Sequence, residues 1–416
     1  MSAFTLTPDQ QNALEKFTQF LTDPSEQVFV LQGYSGTGKT TLVKSLLDQL
    51  PKLMKAAKLI NPAVRKYEVE LTATTNKAAE NFGMITGMEV STIHSYLGLR
   101  VSTDYSTNTT KLVPSKQNSF KEGHLLFIDE ASYIDKDLLG WIFKLTRNCK
   151  IVFMGDPAQL TPVKSSATPV FDATHFIGAK LSQVVRQAEG NPIVDLSTKF
   201  RETVTSGEFF KFVPDGHHIK YLDRDTFNQA IEAEFCRPDW RYSNSKVLAW
   251  TNARVIAYNH HIRDRVMGDP NFQVGDYAVC NKFVSSNKKS LKTDQLVCIT
   301  GIGQDTEQHG VLGNWMTLDY QIELFFPKSL EAKKALIKQA RAMEWFNIVE
   351  EAENRWIDLR AAYACTINKA QGSTYDRVFI DLDDISRCNS GDQIARMLYV
   401  GVSRAREQVF LTGDIC

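Results

Sequence analysis

The chain has no surplus of either charge. Its 48 lysines and arginines are balanced by 48 aspartates and glutamates. Global charge therefore announces no polyanion partner, and any nucleic-acid site has to be a local groove of lysine, arginine and hydroxyl groups. Cysteine is sparse: the seven thiols are odd in number and include no Cys-x-x-Cys pair. That argues against a disulfide framework or a zinc site and fits a reducing compartment. No apolar run is long enough to span a bilayer. Met1 to Gln10 lacks the basic start and apolar middle of a signal peptide. A cytoplasmic protein without a membrane role is expected. There is no repeat of fixed period and no long low-complexity tract. What remains is the composition of a globular protein, 43% hydrophobic and 23% charged, in 416 residues. That is too long for one ordinary core.

One segment decides the chemistry. Gly33-Tyr34-Ser35-Gly36-Thr37-Gly38-Lys39-Thr40 reads G-x-x-x-x-G-K-[ST]. The apolar run Val28-Phe29-Val30-Leu31 precedes it, and Leu42, Leu46, Leu47 and Leu50 follow at helical spacing. Strand, glycine loop and helix are the context this motif requires. Glycines let backbone N–H groups close around phosphate oxygens, and the helix N-terminus adds partial positive charge. Lys39 can reach the β- and γ-phosphates, and the Thr40 hydroxyl can ligate Mg²⁺. Gly33, Ser35, Gly36, Thr37, Gly38 and Thr41 complete the candidate nucleotide-binding set.

Asp129 and Glu130 follow the apolar run Leu125 to Ile128. An Asp at a strand end can hold Mg²⁺, and a neighbouring Glu can orient and deprotonate water. Gln159, in Gly155-Asp156-Pro157-Ala158-Gln159, can sense the γ-phosphate or position water. Phosphoryl transfer also calls for an arginine outside the loop; Arg186 and Arg404 are the candidates. Guanine readers use Asn-Lys-x-Asp, and neither Asn76-Lys77 nor Asn368-Lys369 supplies the Asp. ATP is the expected nucleotide.

Apolar runs at Val69 to Ala73, Leu125 to Ile128 and Ile151 to Met154 alternate with helical patterns, which predicts a doubly wound parallel sheet. Ligands on such sheets bind at the carboxyl ends of strands. Between Gly98 and Gly123 the pattern breaks. Leu99-Arg100-Val101 and Lys111 to Pro114 flank a Ser/Thr/Asn-rich stretch, which reads as an inserted hairpin or a surface loop. A second α/β region starts near Leu181. Phe272 to about Phe326 is β-like and suggests a small barrel, followed by a helix over Lys328 to Trp345.

Together these segments resemble superfamily 1 helicases of the 5′-to-3′ branch, most closely the Dda-type DNA helicases of T-even phages, with RecD- and Pif-like relatives. Leu6-Thr7-Pro8-Asp9-Gln10 resembles the family's adenine-reading element, with Gln10 as base contact. Gly33 to Thr41 is similar to motif I, Leu126 to Ser132 to motif II and Gly155 to Val163 to motif III. Arg186 matches the motif IV arginine and Arg404 the motif VI arginine. Thr366 to Gly372 resembles motif V, which bridges ATP and DNA. Ser91-Thr92-Ile93-His94-Ser95 matches the segment before the family's pin. Two departures stand out: Ala73-Thr74-Thr75 where relatives often read Ala-Pro-Thr, and Asn368 where they carry His.

The resemblance implies an α/β fold of two RecA-like domains. The first would be 1–177 with a pin hairpin at about 96–122, the second 178–268 with 355–416, and an SH3-like insertion would occupy 269–354. It implies ATP and Mg²⁺, single-stranded and forked duplex DNA as partners, 5′-to-3′ translocation, and a role in phage replication or recombination in the host cytoplasm. A monomer is expected, with a single-strand-binding protein or other replication proteins as further partners. Hydroxyl and amide side chains suit sequence-independent backbone contacts. Thr74, Thr75, Asn76, Thr92 and His94 are candidates in the first domain, and Thr251, Asn252, Thr366 and Asn368 in the second. Each is also an ordinary helix-capping or turn residue type. An RNA helicase, a translocase that strips bound proteins, and a non-catalytic ATP latch are the alternatives.

Overall fold

Six parallel strands form one sheet in the order Ile177–Leu181, Val28–Gly33, Lys150–Gly155, His124–Asp129, Glu68–Ala73 and Ser91–Thr92. The computed structural model describes residues 6–104, 109–115, 119–162, 168–183, 190–269, 271–285 and 289–415. The chain forms two compact units, Met1–Phe210 with Ala395–Ser403, and Lys211–Ile394 with Arg404–Cys416. This sheet belongs to the first.

Its central strands are apolar on both faces, as strands covered by helices on both sides must be. Alternation sorts them. Leu125 and Phe127 join one core with Phe29, Leu31, Val152 and Met154. Leu126 and Ile128 join another with Val28, Val30, Ile151 and Phe153. Successive side chains on a strand face opposite ways, so one run of sequence feeds two cores. The first core is covered by Phe17 and Phe20 from helix Pro8–Thr22 and by Leu42, Val43, Leu46 and Leu50 from helix Lys39–Ile60. The second is covered by Leu138, Ile142 and Leu145 from helix Lys136–Leu145.

Leu99–Asp104 pairs antiparallel with Thr109–Pro114, Leu99 opposite Pro114 and Asp104 opposite Thr109. The stretch between Gly98 and Gly123 thus holds a hairpin; Tyr105, the aromatic of its tip, lies outside the described residues.

In the second unit a parallel sheet runs Ile219–Tyr221, Ala405–Thr412, Tyr375–Asp381, Ser245–Ala249, Ala364–Thr366. A separate antiparallel sheet runs Ile322–Pro327, Val311–Leu318, Leu296–Gln308, Tyr277–Cys280, Leu359–Ala361. The helix expected over Lys328 to Trp345 is present as Leu330–Ala342, and a second helix, Phe346–Asn354, follows it. Among the described residues no helix is long and apolar enough to cross a membrane.

Candidate nucleotide site and nucleic-acid residues

The phosphate loop leaves the strand Val28–Gly33 at its carboxyl end and enters the helix Lys39–Ile60. Gly38 caps that helix with φ +79°, a left-handed backbone that suits glycine. Thr37 is buried and donates its hydroxyl to the Tyr34 carbonyl at 2.9 Å, which tightens the loop from within. Lys39 Nζ donates to the Gly33 carbonyl at 2.5 Å and to the Tyr34 carbonyl at 3.1 Å. Gly36 also has positive φ, Thr40 is half-buried and Thr41 is exposed.

Gln10 is 1% exposed, and both ends of its amide are engaged. The oxygen accepts from Thr7 N at 3.1 Å in a capping box, and Nε2 donates to the Thr37 carbonyl at 3.4 Å. The first helix is thereby tied to the phosphate loop.

Asp129 ends the strand His124–Asp129, and its Oδ1 accepts from Glu130 N at 2.9 Å. Burial, and then the charge of Glu130, push the Asp129 carboxyl up to about 7, against the pull of the Glu130 N–H and Lys39. A nearby cation would relieve that shift. Glu130 itself sits at φ 54°, ψ 45°, a left-handed conformation that costs a side-chain-bearing residue about 1–2 kcal/mol. Its carbonyl is held by Thr74 Oγ1 at 2.9 Å and by Tyr133 N at 3.2 Å. Thr74 N in turn donates to the Asp129 carbonyl at 3.1 Å. A residue expected to touch DNA therefore also buttresses the acidic pair.

Gly155 ends the neighbouring strand. A Cβ there would meet Ala131 N at 3.0 Å and the Phe171 ring at 2.9 Å. Its bareness lets the Asp156–Gln159 turn lie beside the turn that follows Glu130. Gln159 is 4% exposed; its Nε2 donates to Asp156 Oδ2 at 3.4 Å, while its Oε1 is buried with no partner among the described residues. A buried acceptor left open costs about 1–3 kcal/mol unless something completes it. Arg186 lies outside the described residues.

Four of the hydroxyls expected on the DNA track are helix N-caps. Thr75 accepts from Ala78 N at 3.1 Å, Thr92 from Ser95 N at 3.2 Å, Thr251 from Arg254 N at 3.2 Å and Thr366 from Lys369 N at 3.4 Å. Asn76 is half-buried in the first turn of its helix. His94 is half-buried too, and burial lowers its pKa against the pull of Asp135, which favours the neutral ring.

In the second unit Thr251 Oγ1 also donates to Asp384 at 2.8 Å, and Asn252 Oδ1 accepts from Arg360 at 3.1 Å. Asn368 is half-buried in the short helix Ile367–Ala370, and Gly372 follows with φ +77°. Arg404 is 5% exposed and donates Nη1 to the Ser373 carbonyl at 3.2 Å, which joins it to the segment after Gly372.

The sequence marks Asp156 as a polar residue at a strand end but gives no role to it, to Arg396 or to Tyr399, three residues that the fold places here. Asp156 is fully buried and accepts from Ser35 N at 3.0 Å and Tyr399 Oη at 2.6 Å. Arg396 donates to the carbonyls of Pro157 and Gln159, each at 2.7 Å. Tyr399 opens the stretch Tyr399 to Arg406 that marks Arg404, but it and Arg396 are more than 200 residues from their partners, and nothing in their own neighbourhood says that they meet the Asp156–Gln159 turn. The Asp directly after Gly155 is the available signal.

The AAA domain family matches residues 5–224, and the UvrD-like helicase C-terminal domain matches residues 361–412. The chain is 26% identical to the ATP-dependent DNA helicase dda of Enterobacteria phage T4, over 97% of its own length and 98% of that protein. It is 27% identical to the RecBCD enzyme subunit RecD of Buchnera aphidicola subsp. Schizaphis graminum, over 98% of this chain and 74% of that one. Among solved structures it resembles Pif1 helicase in a study of two coordinating copies at forked double-stranded DNA, with TM-score 0.54, 18% identity, and 98% and 92% of the two chains covered. Pif1 from Bacteroides in complex with ADP-AlF3 and single-stranded DNA gives 0.52, 17%, 99% and 93%. The fold is thus the α/β, RecA-like fold of the Pif1 helicases. With one family spanning more than half of the chain and a helicase C-terminal domain closing it, the chain belongs to the AAA domain family and is a superfamily 1B helicase.

Proposed function

We infer that this chain couples ATP hydrolysis to the unwinding of DNA. One observation carries the hydrolytic part: Lys39, the Asp129–Glu130 pair and Gln159 stand at the carboxyl ends of adjacent strands of one parallel sheet. A phosphate loop alone would serve a latch. A neighbouring carboxylate and a buried glutamine oxygen awaiting a donor serve water activation.

The residues present fit Mg-ATP. Among the described residues no group of three or more His, Cys, Asp or Glu could cage a metal. Magnesium prefers one or two protein oxygens together with water and phosphate. Thr40 and Asp129 would hold it, and when bound it neutralises charge on the phosphate oxygens. The chain's own residues do the rest. The loop N–H groups and Lys39 bind the triphosphate. Glu130, fixed in its unusual backbone by Thr74, accepts a proton from the attacking water. Gln159 Oε1 accepts a hydrogen bond from that same water. Arg186 and Arg404 supply positive charge to the γ-phosphate, and Gln10 and Gly372 border the nucleotide.

Thr74, Thr75, Asn76, Thr92, His94, Thr251, Asn252, Thr366 and Asn368 grip a single strand through its backbone. Helix N-termini suit this, since their backbone N–H groups attract phosphate. The hairpin Leu99–Asp104/Thr109–Pro114 acts as the pin, and the antiparallel sheet of the second unit is the SH3-like insertion. Supporting this reading are the paired hairpin strands and the end-to-end likeness to dda and RecD.

Translocation runs 5′ to 3′. Strand displacement on duplexes with a 5′ tail, a 3′ tail or blunt ends tests it, with an RNA fork alongside. Unwinding only from the 5′ tail is expected. A strict need for a 3′ tail would overturn the polarity, and equal unwinding of RNA would overturn the choice of DNA.

A further inference from the structure

A carboxylate closed off from water needs donors, because an unpaired buried charge is among the costliest arrangements in a fold. Asp156 has no exposure at all. Its Oδ1 accepts from Ala158 N at 2.9 Å. Its Oδ2 accepts from Tyr399 Oη at 2.6 Å, Ser35 N at 3.0 Å and Gln159 Nε2 at 3.4 Å. The short hydroxyl-to-carboxylate bond is the strongest of the four by its length and charge.

Tyr399 is 2% exposed on the segment Ala395–Ser403, which belongs to the same unit as the phosphate loop. Its oxygen also accepts from Ser35 N, at 3.0 Å. One N–H of the phosphate loop is therefore shared between a carboxylate and a phenol. Three residues earlier, Arg396 clasps the carbonyls of Pro157 and Gln159. The segment thus holds the Asp156–Gln159 turn twice, by its carboxylate and by its backbone. Gln159 inherits both constraints, through Nε2 on Asp156 and through its own carbonyl on Arg396.

We propose that Tyr399 is a positioning residue for ATP hydrolysis, whose hydroxyl fixes the Asp156 carboxylate and through it both Gln159 and the Ser35 corner of the phosphate loop. This rests on the hydrolytic reading above. Removing the hydroxyl but keeping the ring leaves the buried packing intact. Asp156 then has one donor fewer, and Ser35 N–H has one acceptor fewer. Nucleotide still binds through Lys39 and the other loop amides. The Gln159 amide loses its fixed reference, so turnover falls while affinity holds.

The test uses full-length protein with Tyr399→Phe, Asp156→Asn, the double variant and Lys39→Ala. Steady-state ATPase is measured with single-stranded DNA, and hydrogen exchange over residues 33–41 is followed without nucleotide. Tyr399→Phe is expected to lower kcat about tenfold, to leave KM for ATP within about twofold, and to speed exchange at Ser35. The double variant is expected to be no worse than the poorer single variant, as for residues acting through one contact. If wild type shows no turnover, the hydrolytic reading and the proposal fall together. If wild type turns over and Lys39→Ala does not, the proposal alone is overturned by any of three results: unchanged kcat in Tyr399→Phe, losses that multiply in the double variant, or unchanged exchange over residues 33–41.

Discussion

At the scale of single residues, Glu130 carries the sharpest expectation. Its left-handed backbone is held by Thr74 and Tyr133 whatever its side chain, so Glu130→Gln keeps the geometry and removes the base. ATPase turnover should fall by about 10²–10⁴, the usual worth of a general base. Binding of a fluorescent ATP analogue should persist, and loss of binding would mean that the side chain serves the loop instead. The residues that name the chemistry are legible because phosphate chemistry fixes their spacing. Their second duties are not. Nothing in Thr74 as a letter says that its hydroxyl holds the Glu130 carbonyl. Nothing in Gln10 says that its amide is divided between a helix cap and the Thr37 carbonyl. By residue type alone, Thr75, Thr92, Thr251 and Thr366 each point first to capping, and only their placement in motifs as a set points to DNA. They are caps, which is compatible with phosphate contact because a capped N-terminus still presents first-turn N–H groups that the helix itself does not use.

At the scale of elements, apolar runs are the readable part. Leu125 to Ile128 and Ile151 to Met154 are the buried strands they promise, because a run so short can feed two cores only as a strand lying between helical layers. Helix Pro8–Thr22 escapes a sequence reading because its first turn is absorbed into a motif and its apolar face is thin. Its buried apolar residues are Ala13, Phe17, Phe20 and Leu21. The strand Ile177–Leu181 escapes as well, because it is short and only its Ala179 and Leu181 are buried. That strand yields a prediction. A Cβ on Gly178 would lie 2.5 Å from the Val30 carbonyl oxygen, a backbone atom of the strand that feeds the phosphate loop. Gly178→Ala must push two paired strands apart, and overpacking of this kind costs about 1–3 kcal/mol. Thermal or urea unfolding should show that loss. An unchanged midpoint would mean that the strand Ile177–Leu181 yields freely.

At the scale of the whole molecule, zero net charge becomes a statement about salt. Binding that neutralises many phosphates with lysine and arginine loses affinity steeply as salt rises, by about 0.7 of a logarithmic unit per contact for each tenfold rise in salt on single strands. The residues assigned to the strand here are hydroxyls, amides and one histidine whose neutral form is favoured, which displace few counterions. Affinity for an unstructured oligonucleotide should therefore fall with a shallow slope, equivalent to roughly three or fewer phosphate contacts. A steep slope in a titration by fluorescence anisotropy would assign the grip to lysines and arginines instead. The α/β class is legible at this scale, because strand–helix alternation is a long-range rhythm. The return of Ala395–Ser403 to the first unit is not, because that partnership depends on contacts across more than 200 residues.

That return has a consequence for synthesis. A nascent chain emerging from the ribosome has made most of its first unit by Phe210, yet Arg396 and Tyr399 arrive only after the whole of Lys211–Ile394 has been made. At about 5–20 residues per second the wait is roughly ten to forty seconds. Throughout it Asp156 lacks its phenolic donor and the Pro157 and Gln159 carbonyls lack their clasp, so codons far downstream of Phe210 govern when the first unit can settle.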